Sequence, residues 1–223
     1  METTPPTAQK CVYTIVLDNW FPELCAVTLP LYKQWAHRIG ADFQIITECK
    51  FPGWPANYER FQVYELGKRY FWNIVLDADY IINPHTLEDP TLDPTNHTGQ
   101  RNPLLFYAEG KMQANYYFRP HKYFIRDGRN EGIGDSFVMT SYYTHDVWTP
   151  LDMPYEEARE YCIRDPRQVS EFCFSLNVAR FGLDYDGVIG EKANLYHLGS
   201  TSKNRSREDT MAIAQLKLRE MGL

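Results

Sequence analysis

An alternation of short apolar runs with amphipathic stretches in the first third of the chain constrains the fold most. Val12–Leu17 is short, rich in β-branched residues and apolar at nearly every position, the pattern of a strand covered on both faces. From Pro22 to Ile39 the spacing is helical, with Leu24, Val27, Leu31 and Trp35 on one stripe. Gly40 follows where a helix C-cap is expected. Phe43–Thr47 predicts a second strand. A Pro/Gly/Trp loop over Phe51–Ala56 then leads into a helix over about Tyr58–Arg69, and Asn73–Asp77 predicts a third buried strand. Strand, helix, strand, helix, strand predicts a parallel sheet with right-handed crossovers.

The rest is less regular. Pro84–Asn102 reads as loop, Leu104–Tyr107 as a short strand, and Lys111–Asn130 as an aromatic and basic stretch. Ser136–Thr140 predicts a strand, about Pro166–Phe181 a helix, Asn194–His197 a brief strand and Arg207–Met221 a closing amphipathic helix. No repeat or linker divides the chain, so residues 1–223 are expected to form one mixed α/β domain. Its parts are a polar leader over 1–10, a first half over about 12–103 and a second half over about 104–223. A chain of 223 residues buries enough surface for a full core without staples.

Composition excludes several classes. A net charge of −6 and a pI near 5.5 argue against a nucleic-acid binder. The five cysteines (Cys11, Cys25, Cys49, Cys162, Cys173) are scattered and never spaced as CxxC, which suggests neither a disulfide framework nor a zinc cage. The leader lacks an apolar signal core, and no apolar run approaches the roughly 20 residues that span a bilayer. A soluble protein in the reducing cytoplasm, with no membrane span, is expected. Aromatics make up 15% of the chain. Aromatic faces such as those of Trp148, Tyr142, Tyr143 and Tyr116 could stack on a flat ligand face or serve only as core.

Asp77-Ala78-Asp79 stands at the carboxyl end of the run Ile74-Val75-Leu76. Open α/β sheets bind ligands beyond the carboxyl ends of their strands. Two carboxylates one residue apart can both turn toward a hard cation such as Mg²⁺ or Mn²⁺ and leave positions for phosphate oxygens. The same tripeptide also serves as a loop cap. Far along the chain, in Tyr196-His197-Leu198-Gly199-Ser200-Thr201-Ser202-Lys203, a neutral imidazole could complete such a set. There Gly199 allows close approach to a phosphate and Lys203 can neutralise it. Lys203, Arg205 and Arg207 form a locally positive stretch on an acidic protein.

Together these segments resemble the metal-dependent nucleotide-sugar glycosyltransferases of the GT-A fold, with the glycogenin-like family 8 group the nearest pattern. The resemblance runs from Val12 to Lys203. It includes Ile39-Gly40-Ala41-Asp42-Phe43, Ile74–Asp79, Glu171–Asn177 ahead of Phe181-Gly182-Leu183, and His197–Lys203. Such enzymes usually carry Gly three residues after the late His; here Gly199 is two after. The resemblance implies a Rossmann-like mixed sheet flanked by helices, with a nucleotide-binding first half. It also implies transfer of a sugar, from a UDP-sugar above all, to a hydroxyl acceptor such as a glycan. Asp77, Asp79 and His197 would hold Mn²⁺ or Mg²⁺. Leu17, Asp18, Asn19, Trp20, Arg60, Ala78 and Gly199 would meet the nucleotide sugar, and Lys203 its diphosphate. Resembling enzymes of this size occur in bacteria and in large DNA viruses, so the cytoplasm would be the host's if the source is viral.

For the acceptor half the resemblance implies Glu171 and Asp135. Glu171 would take the acceptor proton if the anomeric centre inverts, or position the donor sugar if it is retained. A Ser-Glu pair at a helix start is also favourable for capping alone. Two other readings remain open from the residues. One is a Mg²⁺-dependent phosphatase with an aspartate nucleophile, although such enzymes usually carry the motif on the first strand. The other is a non-catalytic sugar- or nucleotide-binding module.

Overall fold

The computed structural model describes residues 9–92, 104–106, 134–161, 169–181, 194–199 and 205–223. In chain order these form β1 (Lys10–Ile15), α1 (Pro22–Arg38), β2 (Ala41–Ile46), α2 (Val63–Leu66), β3 (Trp72–Leu76), β4 (Tyr80–Ile82), β5 (Leu104–Phe106) and β6 (Gly134–Ser141). They continue with α3 (Tyr155–Ala158), α4 (Val169–Arg180), β7 (Leu195–His197) and α5 (Arg207–Glu220). The main sheet has the order β2-β1-β3-β6-β5. β1 lies parallel to β2 and to β3, while β6 runs antiparallel to β3 and to β5. A second sheet pairs β4 with β7. The result is a mixed sheet flanked by helices.

The apolar runs are continuous because both faces of the sheet are covered. Successive side chains alternate between two cores, as a period of two requires. Cys11, Tyr13, Val75 and Val138 face Tyr58, Phe61, Trp148, Phe172 and Phe174. Val12, Ile74, Leu76, Phe137 and Met139 face Tyr32, Trp35 and Ala36 of α1. All five residues of β3 are buried. Trp148 is enclosed in the first core, with its indole N–H on Thr140 Oγ1 at 2.7 Å, so it is a packing residue. Tyr142 and Tyr143 lie at the opposite end of β3 from Asp77, beside Phe71. Tyr116 lies outside the described residues, as does the stretch Lys111–Asn130.

Three expectations change. The helix expected over Tyr58–Arg69 is mostly 3₁₀: Ala56–Gln62 and Gly67–Arg69, with only α2 between them. Tyr58, Phe61 and Tyr64 recur every third residue, and a 3₁₀ turn aligns such residues on one side. Their rings follow suit, with Tyr58 and Phe61 centred 4.6 Å apart. The buried face of α1 consists of Leu24, Cys25, Thr28, Tyr32, Trp35 and Ala36, rotated away from Val27 and Leu31. Polar Thr28 and Tyr32 point inward because they have backbone carbonyls to meet, as shown below. Finally, β4 forms between the third expected strand and the Pro84–Asn102 loop, where no element was expected. Its partner lies more than a hundred residues on, so no local pattern announces it.

Gly67 packs directly on the buried side chain of Asn73. A methyl group at position 67 would lie 2.6 Å from Asn73 Oδ1. Asn73 is fully buried, and its amide reaches back to the Gly67 carbonyl at 3.3 Å, so it has little room to yield. Gly67→Ala is expected to cost about 1–3 kcal/mol, read from urea unfolding. An unchanged midpoint would show that the contact relaxes freely.

Candidate metal site

At the carboxyl end of β3 the chain turns through Asp77-Ala78-Asp79 into β4, and α1 holds the backbone of that turn. The Thr28 hydroxyl lies 2.9 Å from the Ala78 carbonyl oxygen. One turn along the helix, the Tyr32 hydroxyl is 2.9 Å from the carbonyl oxygens of both Asp77 and Tyr80, and accepts the Tyr80 N–H at 2.9 Å. Burial, reinforced by the Asp79 charge, pushes the Tyr32 phenol well above its usual range, so it stays a neutral donor. Buried backbone polar groups must be paired, and two side chains four residues apart do this for the Asp77, Ala78 and Tyr80 carbonyls and the Tyr80 N–H. Ala78 is itself buried.

The other half of the site arrives through the small sheet. β4 and β7 pair antiparallel with Tyr80 opposite His197, Ile81 opposite Tyr196 and Ile82 opposite Leu195. The ladder extends to Leu198 N–H on the Asp79 carbonyl and Asn83 N–H on the Asn194 carbonyl, both at 2.9 Å. The His197 ring stacks on Tyr80, with centroids 4.5 Å apart. Behind the ladder, Ile81 and Leu198 pack with Phe21 and Leu24 from the α1 side and with Ala214 of α5. His197 Nε2 thereby comes to 3.2 Å from Asp79 Oδ1, across 118 positions of sequence.

One ligand atom from each of Asp77, Asp79 and His197 lies within 4.8 Å of the others. A hard divalent ion bonded at about 2.0–2.6 Å spaces its ligand atoms about 3–5 Å apart, so this set fits one. Two carboxylates and an imidazole also suit Mn²⁺ or Mg²⁺ chemically. Asp79 is nearly buried while Asp77 and His197 keep partial exposure, so the group opens to solvent on one side.

The Arg60 guanidinium, 1% exposed, donates from Nη2 to Asp77 Oδ1 at 2.8 Å. Its Nε donates to the Asn57 carbonyl at 2.7 Å, and the Asn57 amide donates to Ser170 Oγ, also at 2.7 Å. Glu171, half-buried in the first turn of α4, is thus the neighbour of a residue linked through Asn57 and Arg60 to Asp77. Asp135 lies on β6 two residues before Phe137, the partner of Leu76, so its backbone stands at the same end of the sheet. Leu17–Trp20 follow β1 at that end too. Asp18, Asn19 and the buried Phe21 all have positive φ, at 49°, 53° and 44°. A left-handed non-glycine residue costs roughly 1–2 kcal/mol, and such strain gathers at ligand-binding loops. Gly199 has φ 59° with open space beside it, so it serves the turn and not a tight packing contact. Lys203 lies outside the described residues.

No protein-family model matches the chain, and no curated protein sequence matches it. Solved structures do. A glycosyltransferase involved in the glycosylation of the major capsid of PBCV-1 superposes with a TM-score of 0.52 at 10% identity, over 93% of this chain and 99% of that one. The galactosyltransferase LgtC, in complex with donor and acceptor sugar analogues, superposes with a TM-score of 0.52 at 13% identity, over 95% of each chain. The fold is that of the GT-A glycosyltransferases.

Sequence reasoning missed Thr28 and Tyr32, whose only signal was two polar-capable side chains four apart beside an apolar stripe. Tyr32→Phe removes the hydroxyl that serves the turn and leaves its backbone groups short of a partner. It is expected to cost about 1–3 kcal/mol of stability. It should also weaken Mn²⁺ binding measured by electron paramagnetic resonance. Wild-type ion affinity in the variant would show that the turn holds its shape without α1.

Proposed function

We propose that the protein is a divalent-metal-dependent glycosyltransferase of the glycogenin-like kind, acting in the cytoplasm. It moves a hexose or deoxyhexose from a UDP-sugar to a hydroxyl acceptor such as a glycan. The convergence of Asp77, Asp79 and His197 at the carboxyl end of the buried strand β3 carries this reading. The shared fold of two glycosyltransferases, one seen with donor and acceptor sugar analogues, supports it.

Asp77, Asp79 and His197 would hold Mn²⁺ or Mg²⁺. Bound there, the ion supplies Lewis-acid stabilisation to the departing diphosphate. The strained loop Leu17–Trp20 would receive the nucleoside, with its backbone preset for the ligand and not rearranged on binding. Ala78 and Gly199 would line the path of the sugar diphosphate, and Lys203 would neutralise its charge. In transfer the acceptor oxygen bonds to the anomeric carbon while the bond from that carbon to the phosphate oxygen breaks. The electron pair leaves with UDP. In an inverting reaction the acceptor proton passes to the Glu171 carboxylate. In a retaining one Glu171 orients the donor sugar, and Asp135, carried on β6, would serve the same half of the site.

Calorimetry tests the donor site. Wild-type protein should bind UDP with Mn²⁺ present, and Asp79→Ala should lose that binding by more than about 100-fold, beyond what outer-shell changes cost. Binding that survives Asp79→Ala would overturn the metal role. Release of free sugar from a UDP-sugar in the presence of Mn²⁺ separates an enzyme from a binding module. Glu171→Gln should cripple transfer while sparing UDP affinity; an active variant would remove Glu171 as the base.

A further inference from the structure

Glu59 poses a problem that the fold alone does not explain. It sits in the 3₁₀ turn Ala56–Gln62 and is buried. Its carboxylate accepts the Lys50 N–H on Oε2 and the Phe51 N–H on Oε1, both at 2.9 Å, and the Gln62 amide on Oε2 at 2.6 Å. The Cys49 thiol donates to it as well, and that bond, with the Asp18 charge among the smaller causes, holds the thiol above its usual range. These donors are all neutral. Enclosing a carboxylate is costly, and the segment it holds is neither helix nor strand and lies open to solvent. Thr47, Glu48, Cys49 and Lys50 are all exposed. Water could pair the N–H groups of a loop this exposed. The Gln62 amide adds a second tie, on the Glu48 carbonyl at 2.7 Å. What the buried charge supplies is a fixed loop.

The place of that loop gives the fixing a purpose. β1 and β2 run parallel, and the Val16 N–H on the Ile46 carbonyl at 2.9 Å carries their ladder past the end of β1. The chain after β2 thus leaves the sheet beside the strained loop Leu17–Trp20, and the Asp18 charge is felt at Cys49. On the other side of β1 stands β3, which ends in the Asp77–Asp79 turn. Three neighbouring strand ends therefore line up as candidate metal site, nucleoside loop and Glu59-held loop. Two strand spacings, about 10 Å, separate the outer members. A nucleoside diphosphate with its phosphates at the metal site would point its base toward the third. We propose that Glu59 is a positioning residue for the base end of the donor: its carboxylate presets the loop Thr47–Phe51 as the outer wall of the nucleoside pocket. A wall ordered in advance spares the ligand the cost of ordering it. This inference rests on the nucleotide-sugar reading above.

Glu59→Gln keeps the size and one acceptor oxygen but turns an amide NH₂ toward a backbone donor. Hydrogen exchange reads the loop. Calorimetry at saturating Mn²⁺ reads UDP and pyrophosphate, and electron paramagnetic resonance reads free Mn²⁺. In the variant the Lys50 and Phe51 amides should exchange about tenfold faster or more. UDP should bind about tenfold more weakly, the order expected when a few residues must be ordered on binding. Pyrophosphate, which lacks the nucleoside, and Mn²⁺ should bind as in wild type. If Glu59→Gln does not fold, Gln62→Ala carries the same comparison, because it frees the Glu48 carbonyl and removes one donor to Glu59 from a partly exposed position. UDP affinity that holds while the loop exchanges faster would overturn the proposal. So would unchanged amide exchange, or equal losses of UDP, pyrophosphate and Mn²⁺, which a merely structural role predicts. Wild-type protein that binds UDP no better than pyrophosphate would sink the nucleotide reading, and this inference with it. A wild-type preference for UDP that survives in the variants would sink this inference alone.

Discussion

The antiparallel ladder between Tyr80–Ile82 and Leu195–His197 holds together two segments that share no local relation, and the candidate site exists only where they meet. Two constraints keep that ladder in place. On one side, Thr28 and Tyr32 of α1 meet the Asp77, Ala78 and Tyr80 carbonyls, which holds the turn that launches β4. On the other, Ile81 and Leu198 are buried among Phe21, Leu24 and Ala214, which fixes the small sheet against α1 and α5. A slip of one residue in the ladder would turn Ile81 to solvent and carry His197 away from Asp79. Register, core and ligand geometry are therefore one problem with one solution.

The main sheet contributes position. With β1 and β3 parallel and adjacent, their carboxyl ends deliver the loop Leu17–Phe21 and the turn Asp77–Asp79 to the same edge. The antiparallel return of β6 brings Asp135 to that edge as well. Charge follows the same plan. A protein with a net charge of −6 places a buried arginine directly behind one of its ligand carboxylates. The basic stretch beyond His197 enters the described residues again at Arg205, whose guanidinium holds the Leu198 carbonyl, one residue from the imidazole.

Much of this was legible in the residues. The strands at Val12 and Asn73 and the helix from Pro22 follow from runs and periodicities that are local and strong. The Asp-x-Asp at the end of a buried strand marked the ligand edge. The small errors have physical causes. An aromatic spacing of three, Tyr58 and Phe61, falls in a 3₁₀ turn where an α-helix was expected, and inward-facing Thr28 and Tyr32 rotated the buried face of α1. The strand Tyr80–Ile82 was invisible because three residues carry no periodicity and their partner is remote.

Local sequence was enough to mark the first three strands of the main sheet and the long helix after the first of them, the burial of the third strand on both faces, and the two carboxylates that end it. Those properties reside in neighbouring side chains and in the hydrophobic period, which act over a few residues. The closed fold alone brings His197 to Asp79, buries Arg60 behind Asp77 and sets Tyr32 against the turn. Each of these pairings joins residues distant in sequence, and each is set by packing and by the need to satisfy buried polar groups. Those demands take shape only once the layers have closed on one another.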